Sequence, residues 1–117
     1  MDLLWCQCAG TIFICGVHAF TLIDTGATHS FISTTMLDKI VDFPEIIETY
    51  YDVMLPTGKL LHLHHALGEC EICLDDRKMH ATLIVMEMKG YDAILGMDWL
   101  CRYHATIDCR AGVVHFQ

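Results

Sequence analysis

Short β-branched and aromatic runs, each closed by a cluster of turn-forming residues, recur along the whole chain. Residues 11–15 (Thr-Ile-Phe-Ile-Cys) stop at Gly16, and the run 19–23 follows, so the two predict a hairpin. The second of these strands passes straight into Asp24-Thr25-Gly26, a turn composition. Residues 33–40 predict a first helix, with hydroxyl side chains to cap it, and Asp42-Phe43-Pro44 ends it because a residue before proline avoids the helical region. From Ile46 the pattern is β again. Runs 49–55 and 59–64 flank Pro56-Thr57-Gly58, and runs 70–74 and 79–85 flank Asp75-Asp76-Arg77, which predicts two more hairpins. Residues 93–95 with Gly96 read as a short buried strand, and 97–103 as a helix with Trp99 and Leu100 inward. A last hairpin, 106–109 with 113–116, turns at Ala111-Gly112. Strands at this spacing predict an all-β barrel or sandwich with one or two short helices. There is also an internal echo: residues 22–26 and 93–96 are both apolar strands that end in glycine and precede a helix, as in a two-fold repeat.

Composition narrows the class. The 117 residues make a single domain spanning 1–117, and 54% apolar against 19% charged residues excludes disorder as the main state. Seven basic against 15 acidic side chains give a net charge of −8, which argues against a phosphate-binding surface, so no nucleic-acid partner is expected. Protonation of all eight histidines would cancel that charge, so the surface field changes steeply below neutral pH. No stretch approaches the ~18 apolar residues of a membrane helix, so no membrane partner is expected. Residues 1–6 are apolar but carry Asp2 where a secretory leader carries bases. Seven cysteines without a regular framework read as reduced thiols, which predicts a cytoplasmic location.

The chemistry concentrates at Asp24. An acid at the end of a buried apolar strand is expensive to desolvate unless something is gained by it. Gly26 permits a tight turn and close approach of a ligand's backbone, and the Thr25 hydroxyl can fix the turn. Metal ligation has a weaker footing. Cys70 and Cys73, with His62, His64, His65 and His80 nearby, offer zinc-ligand types, but strand positions three apart point to opposite faces. Cys6 and Cys8 have no clear partner pair, so no metal and no cofactor are expected. Residues 85–88 (Val-Met-Glu-Met) read as core or dimer packing.

The sequence Asp24-Thr25-Gly26-Ala27-Thr28-His29-Ser30-Phe31-Ile32, followed about seventy residues later by Tyr91-Asp92-Ala93-Ile94-Leu95-Gly96-Met97-Asp98-Trp99-Leu100, resembles the retropepsin family of aspartic proteases. More narrowly, it is similar to the protease segment of gypsy-type LTR retrotransposon polyproteins of plants. Gly10-Thr11-Ile12 matches the family's first strand, and the likeness extends through the ending 105–116. The resemblance implies a closed retropepsin-like β-barrel with one or two short helices, forming half of a two-fold symmetric enzyme. Asp24 would be the catalytic acid, with Thr25 and Gly26 supporting the active-site loop and Ala27, Thr28 and His29 facing substrate. Leu55, Pro56, Thr57, Gly58 and Lys59 would form a flap by their place in the order, and Ile94, Leu95 and Gly96 a structural landmark. Met97 departs from the retroviral pattern, which usually has arginine there. Asp98, placed after Gly96, suits capping of the following helix rather than catalysis.

This route to peptide hydrolysis needs two carboxylates sharing one proton, and the chain holds a single Asp-Thr-Gly. The second acid must then come from another copy across a two-fold axis, so a homodimer cleaving its own polyprotein is expected, in the cytoplasm or within retroelement particles. The competing expectation is a catalytically silent, domesticated dimerisation or binding domain with the same fold.

Overall fold

In a computed structural model, residues 2–4, 9–42, 44–54, 57–108 and 110–116 are described. The elements run β1 (Asp2–Leu4), β2 (Ala9–Ile14), β3 (Val17–Ile23), β4 (Ser30–Ser33), α1 (Thr34–Leu37), β5 (Ile46–Met54), β6 (Leu60–Leu74), β7 (Arg77–Met86), β8 (Ala93–Leu95), α2 (Met97–Arg102), β9 (Thr106–Asp108) and β10 (Val113–His115). The large sheet has the order β2-β3-β8-β4-β7-β6-β5, and a further β2–β6 pairing closes six of its strands into a barrel. β5 stands outside that ring, paired to the first half of β6. A separate sheet of order β1-β10-β9 holds the two ends of the chain together.

Alternation puts one face of each barrel strand inward. Ile12, Ile14, Ala19 and Ile23 from the first hairpin meet Cys70, Ile72, Leu74, Met79, Ala81 and Leu83 from β6 and β7, and Trp99 and Leu100 of α2 cap this core. Each large aliphatic side chain buried in this way contributes roughly 1.5–3 kcal/mol. The β2–β3 turn consists of Cys15 and Gly16, both at positive φ (49° and 79°), a two-residue connection whose twist matches the strands it joins.

Three elements differ from the sequence expectation. β4 lies within the Asp-Thr-Gly motif region and shows no period, because all four of its residues are buried between β7 and β8. The expected strands 59–64 and 70–74 are one continuous strand of 15 residues. An irregularity between Leu67 and Cys70, with Glu69 at φ 48°, bends that strand from the β5 pairing into the barrel. The first helix is a single turn, Thr34–Leu37, capped by the Ser33 hydroxyl accepting the Met36 N–H at 3.0 Å. The internal echo also resolves differently. Its two strands, β3 and β8, lie side by side in parallel register, Leu22 opposite Ile94. The topology instead relates β2-β3-β4-α1 to β6-β7-β8-α2: hairpin matches hairpin, and the β3–β8 parallel pair matches the β7–β4 parallel pair. Among the described residues no helix is long and apolar enough to cross a membrane.

Candidate active site

Asp24 leaves the end of β3 with its N–H donating to the Leu95 carbonyl at 2.9 Å, so the loop starts anchored to β8. Its Oδ1 accepts the Gly26 N–H at 2.8 Å, and the Ala27 N–H reaches the Asp24 carbonyl at 3.2 Å. These bonds fold 24–27 into a turn in which the acid orients itself on its own backbone. A Cβ at position 26 would stand 3.2 Å from Oδ1, so any side chain there presses on the carboxylate. Thr25 is exposed, and its hydroxyl has no partner among the described residues.

Gly96 clamps the loop from the other side. The Met97 N–H donates to the Ala27 carbonyl at 2.8 Å, and a Cβ on Gly96 would lie 2.2 Å from the His29 carbonyl oxygen. No L side chain can occupy that position without moving backbone. Ile94 is half-buried and Leu95 fully buried beside it. The Ser30 hydroxyl donates to Asp98 Oδ1 at 2.7 Å and accepts the Gly96 N–H at 3.0 Å, while the same Asp98 oxygen accepts the Trp99 N–H at 2.7 Å. Asp98 therefore lies inside the first turn of α2 and ties the helix to β4. The cap position itself is Gly96, which has no side chain to bond, and Asp98, two residues further on, satisfies a first-turn N–H of the helix in its place. The side chain of Met97 is partly exposed, and in this chain Ser30 and Asp98 join the two loops.

A cleft of about 590 Å³ opens at Asp24, lined also by Gly26, Ala27, Thr28 and His29 of the loop. Phe31 of β4, Met86 of β7 and Ile94 of β8 supply an apolar wall, and Asp52, Val53 and Met54 of β5 face it. Beneath lies a small core of Phe31, Ala66 and Ile84, onto which Tyr51, Val53, Leu63 and Met86 pack. His29 accepts or donates to the Thr28 hydroxyl through Nδ1 at 3.0 Å, and its ring meets the Tyr51 ring edge-on at 6.0 Å. The β5–β6 hairpin thus reaches from the barrel to the cleft. Thr57, Gly58 and Lys59 are exposed at its tip, and Leu55 and Pro56 lie outside the described residues.

Several residues of the site were not singled out from sequence: Phe31, Asp52, Val53, Met54 and Met86 at the cleft, and Ser30 beneath it. Ser30 and Phe31 were hidden inside the loop motif, and the half-buried alternation at Tyr51 and Val53 is the signal that β5 covers something. Met86, read as packing, lines the cleft as well as the small core. Cys70 is buried in the main core, whereas Cys73 faces the other way and donates to Glu71 Oε1 at 3.4 Å. Among the described residues, no three His, Cys, Asp or Glu side chains gather as metal ligands do. Cys6, Cys8 and Cys109 lie outside the described residues.

The profile of the retroviral aspartyl protease family matches residues 7–117. The chain belongs to that family. No curated protein sequence matches it. Among solved structures, the retroviral protease-like domain of Ddi1 from Leishmania major aligns at a TM-score of 0.68 and 18% identity, covering 95% of this chain and 88% of that one. The EIAV protease, solved with the inhibitor HBY-793, aligns at 0.70 and 17% identity, covering 88% of this chain and 93% of that one. At such identities the likeness concerns the fold, and it is a retropepsin-like fold.

Proposed function

We propose that this retropepsin-like domain is one half of an aspartic endopeptidase, active as a homodimer in which two Asp24 carboxylates meet across a two-fold axis. The observation that carries this is the setting of Asp24. Asp24, oriented by the Gly26 N–H, stands in a cleft with an apolar wall that a β-hairpin overhangs, and the other carboxylate lining that cleft, Asp52, is bonded to His62 Nδ1 at 2.6 Å on the hairpin. One carboxylate cannot both deprotonate a water and protonate a leaving amide. Two at hydrogen-bonding distance hold one proton between them and divide those tasks. Thr25, exposed and with no partner among the described residues, would bond across the axis. Gly26, Ala27, Thr28 and His29 would run beside an extended polypeptide, while the hairpin from Leu55 to Lys59 closes over it and excludes water. In the landmark, Leu95 and Gly96 hold the loop, while Ile94 adds its side chain to the apolar wall that a substrate would meet. The substrate class we infer is the polyprotein of a gypsy-type LTR retroelement, processed in the cytoplasm or in its particles. The support for that is the run Ile94-Leu95-Gly96-Met97-Asp98-Trp99-Leu100.

The test is cleavage of a proteome-derived peptide library at falling protein concentration and at several pH values. Specific activity should fall in step with the dimer fraction measured on the same samples, and the rate should peak below neutrality. Constant specific activity in clearly monomeric protein would sink the half-site reading. A stable dimer that cleaves nothing at any pH would leave the fold as a silent binding domain.

A further inference from the structure

A pair of cysteines lies away from the cleft, at the seam where the barrel closes. β2 and β6 meet there through only two residue pairs, Phe13 with Cys73 and Ile14 with Ile72, and the next bond in the ladder is the Cys15 N–H to the Glu71 carbonyl at 2.9 Å. That register sets Cys15 one residue off opposite Cys70. Regular alternation would turn the side chain of Cys15 outward, away from Ile14. The left-handed backbone of Cys15, φ 49°, breaks the alternation, and its side chain packs against the core cluster that contains Cys70. This position in a two-residue hairpin turn ordinarily holds Asn, Asp or Gly, because other side chains are strained there. A cysteine at that point is a strained choice, and it sits beside a second cysteine. Cys70 belongs to the cluster against which Cys15 packs, and its Sγ donates to the Leu67 carbonyl at 3.9 Å.

We propose that Cys15 and Cys70 form a reversible disulfide that staples the tip of the β2–β3 hairpin to β6 and so responds to thiol oxidants. Their exposure divides the roles. Cys15 is half-exposed and lines an open pocket with Asp42, Pro44, Glu69, Glu71 and His80, so a small oxidant can reach it. Cys70 is fully buried, and burial with the neighbouring Cys15 pushes its thiol far above the usual range. Cys15 is therefore the attacking sulfur. As thiolate it attacks one sulfur of a small disulfide, and one thiolate of that oxidant leaves. Cys70 then gives its proton to solvent base, and its sulfur displaces the second thiolate from Cys15. Two protein thiols are oxidised while one small disulfide is reduced to two thiols. The raised thiol of Cys70 makes the second displacement the slow step. Of the acids around the pocket Glu69 is paired with Arg102, which leaves Asp42 and Glu71 to repel an anionic oxidant, so a cationic disulfide such as cystamine should react faster than oxidised glutathione.

The experiment uses the intact native chain, reduced and then treated with cystamine under folded conditions. Free thiols are blocked, and the digest is mapped by mass spectrometry. The expected product joins the peptides of Cys15 and Cys70 with the loss of two hydrogens, and dithiothreitol reverses it. Closing so long a loop should raise the melting temperature by more than about 5 °C. Cys15→Asn suits the turn's backbone and should lose both the cross-link and the rise, whereas Cys73→Ser should keep both. A Cys15–cysteamine adduct that persists beside an unreacted Cys70 would overturn the proposal. So would a cross-link that appears only in denaturant, or one that joins Cys15 to another cysteine.

Discussion

The two topological halves of the barrel are built alike and used differently. In the first half the loop between β3 and β4 carries Asp24, whose carboxylate, among the described residues, bonds to its own turn alone and stands at the cleft. In the second, the loop between β7 and β8 ends in Asp92, and that acid is consumed by structure. Asp92 Oδ2 accepts the Phe20 N–H at 2.8 Å, its own N–H donates to the Phe20 carbonyl at 2.7 Å, and its carbonyl accepts the Ser33 N–H at 2.9 Å. The first hairpin is short, with strands of six and seven residues, whereas its counterpart has 15 and 10 and extends into the arm over the cleft. A fold can thus be duplicated without its chemistry being duplicated. The half that presents Asp24 at the cleft lacks the arm, the half with the arm ties up its loop acid, and on the proposed reading the second carboxylate comes from another copy.

The sharpest way to break this contrast is to neutralise each acid in turn. Asp24→Asn keeps the turn's acceptor and removes the ionisable group, so cleavage should fall by at least about 10³-fold with the melting temperature nearly unchanged. Asp92→Ala should do the reverse. It strips the Phe20 N–H of its acceptor and should cost about 1–2 kcal/mol in denaturant unfolding, while the surviving folded protein keeps cleaving. If Asp92→Ala abolished the rate at full foldedness, the division of labour between the loops would be wrong.

The two glycines that shape the site offer a second contrast. At Gly96 an added methyl meets backbone carbonyl oxygen at 2.2 Å, so Gly96→Ala should lower stability by roughly 3 kcal/mol or prevent folding. At Gly26 the same methyl meets only the Asp24 carboxylate, so Gly26→Ala should leave urea unfolding within about 1 kcal/mol of the parent and show its effect in the cleavage rate. Equal destabilisation by the two would mean that the loop, not the carboxylate, absorbs both.

The smallest effect concerns a tie that only the second half possesses. Arg102 at the end of α2 bonds Glu69 at the bend of β6 through both guanidinium nitrogens, each at 3.1 Å. The hydrogen bond from Arg102 holds the Glu69 carboxyl below its ordinary value. A carboxyl with a depressed folded value stabilises above its unfolded pKa of about 4.3 and loses that contribution as pH falls through the folded value. Both side chains are about half exposed, so the pair is worth at most about 1 kcal/mol. Glu69→Gln should therefore lower stability slightly at pH 7, and the gap should close in acid. A gap that grew on acidification would reverse the sign of the argument.

Local sequence chemistry determined a good deal of this protein. The first hairpin, the turn at 75–76, the acid at the end of β3 and the inward Trp99 and Leu100 were all legible, since each rests on a few neighbouring residues and on period-two burial. What remained hidden depends on contacts between distant segments. β4 has no alternation to read because partners cover both of its faces. The unity of β6 depends on one left-handed residue, Glu69, that carries the strand through a bend instead of ending it. Ser30 and Asp98, 68 positions apart, acquire their bond only when β4 and β8 come together, and Asp92 becomes structural only by meeting Phe20. Tertiary structure alone decided which of two similar loops keeps a free carboxylate. Asp24 opens its loop and takes the N–H of Gly26 two residues on, whereas Asp92 closes its loop and takes the N–H of Phe20 from another strand, so the difference lies in whether folding brings a distant backbone N–H within reach of the acid.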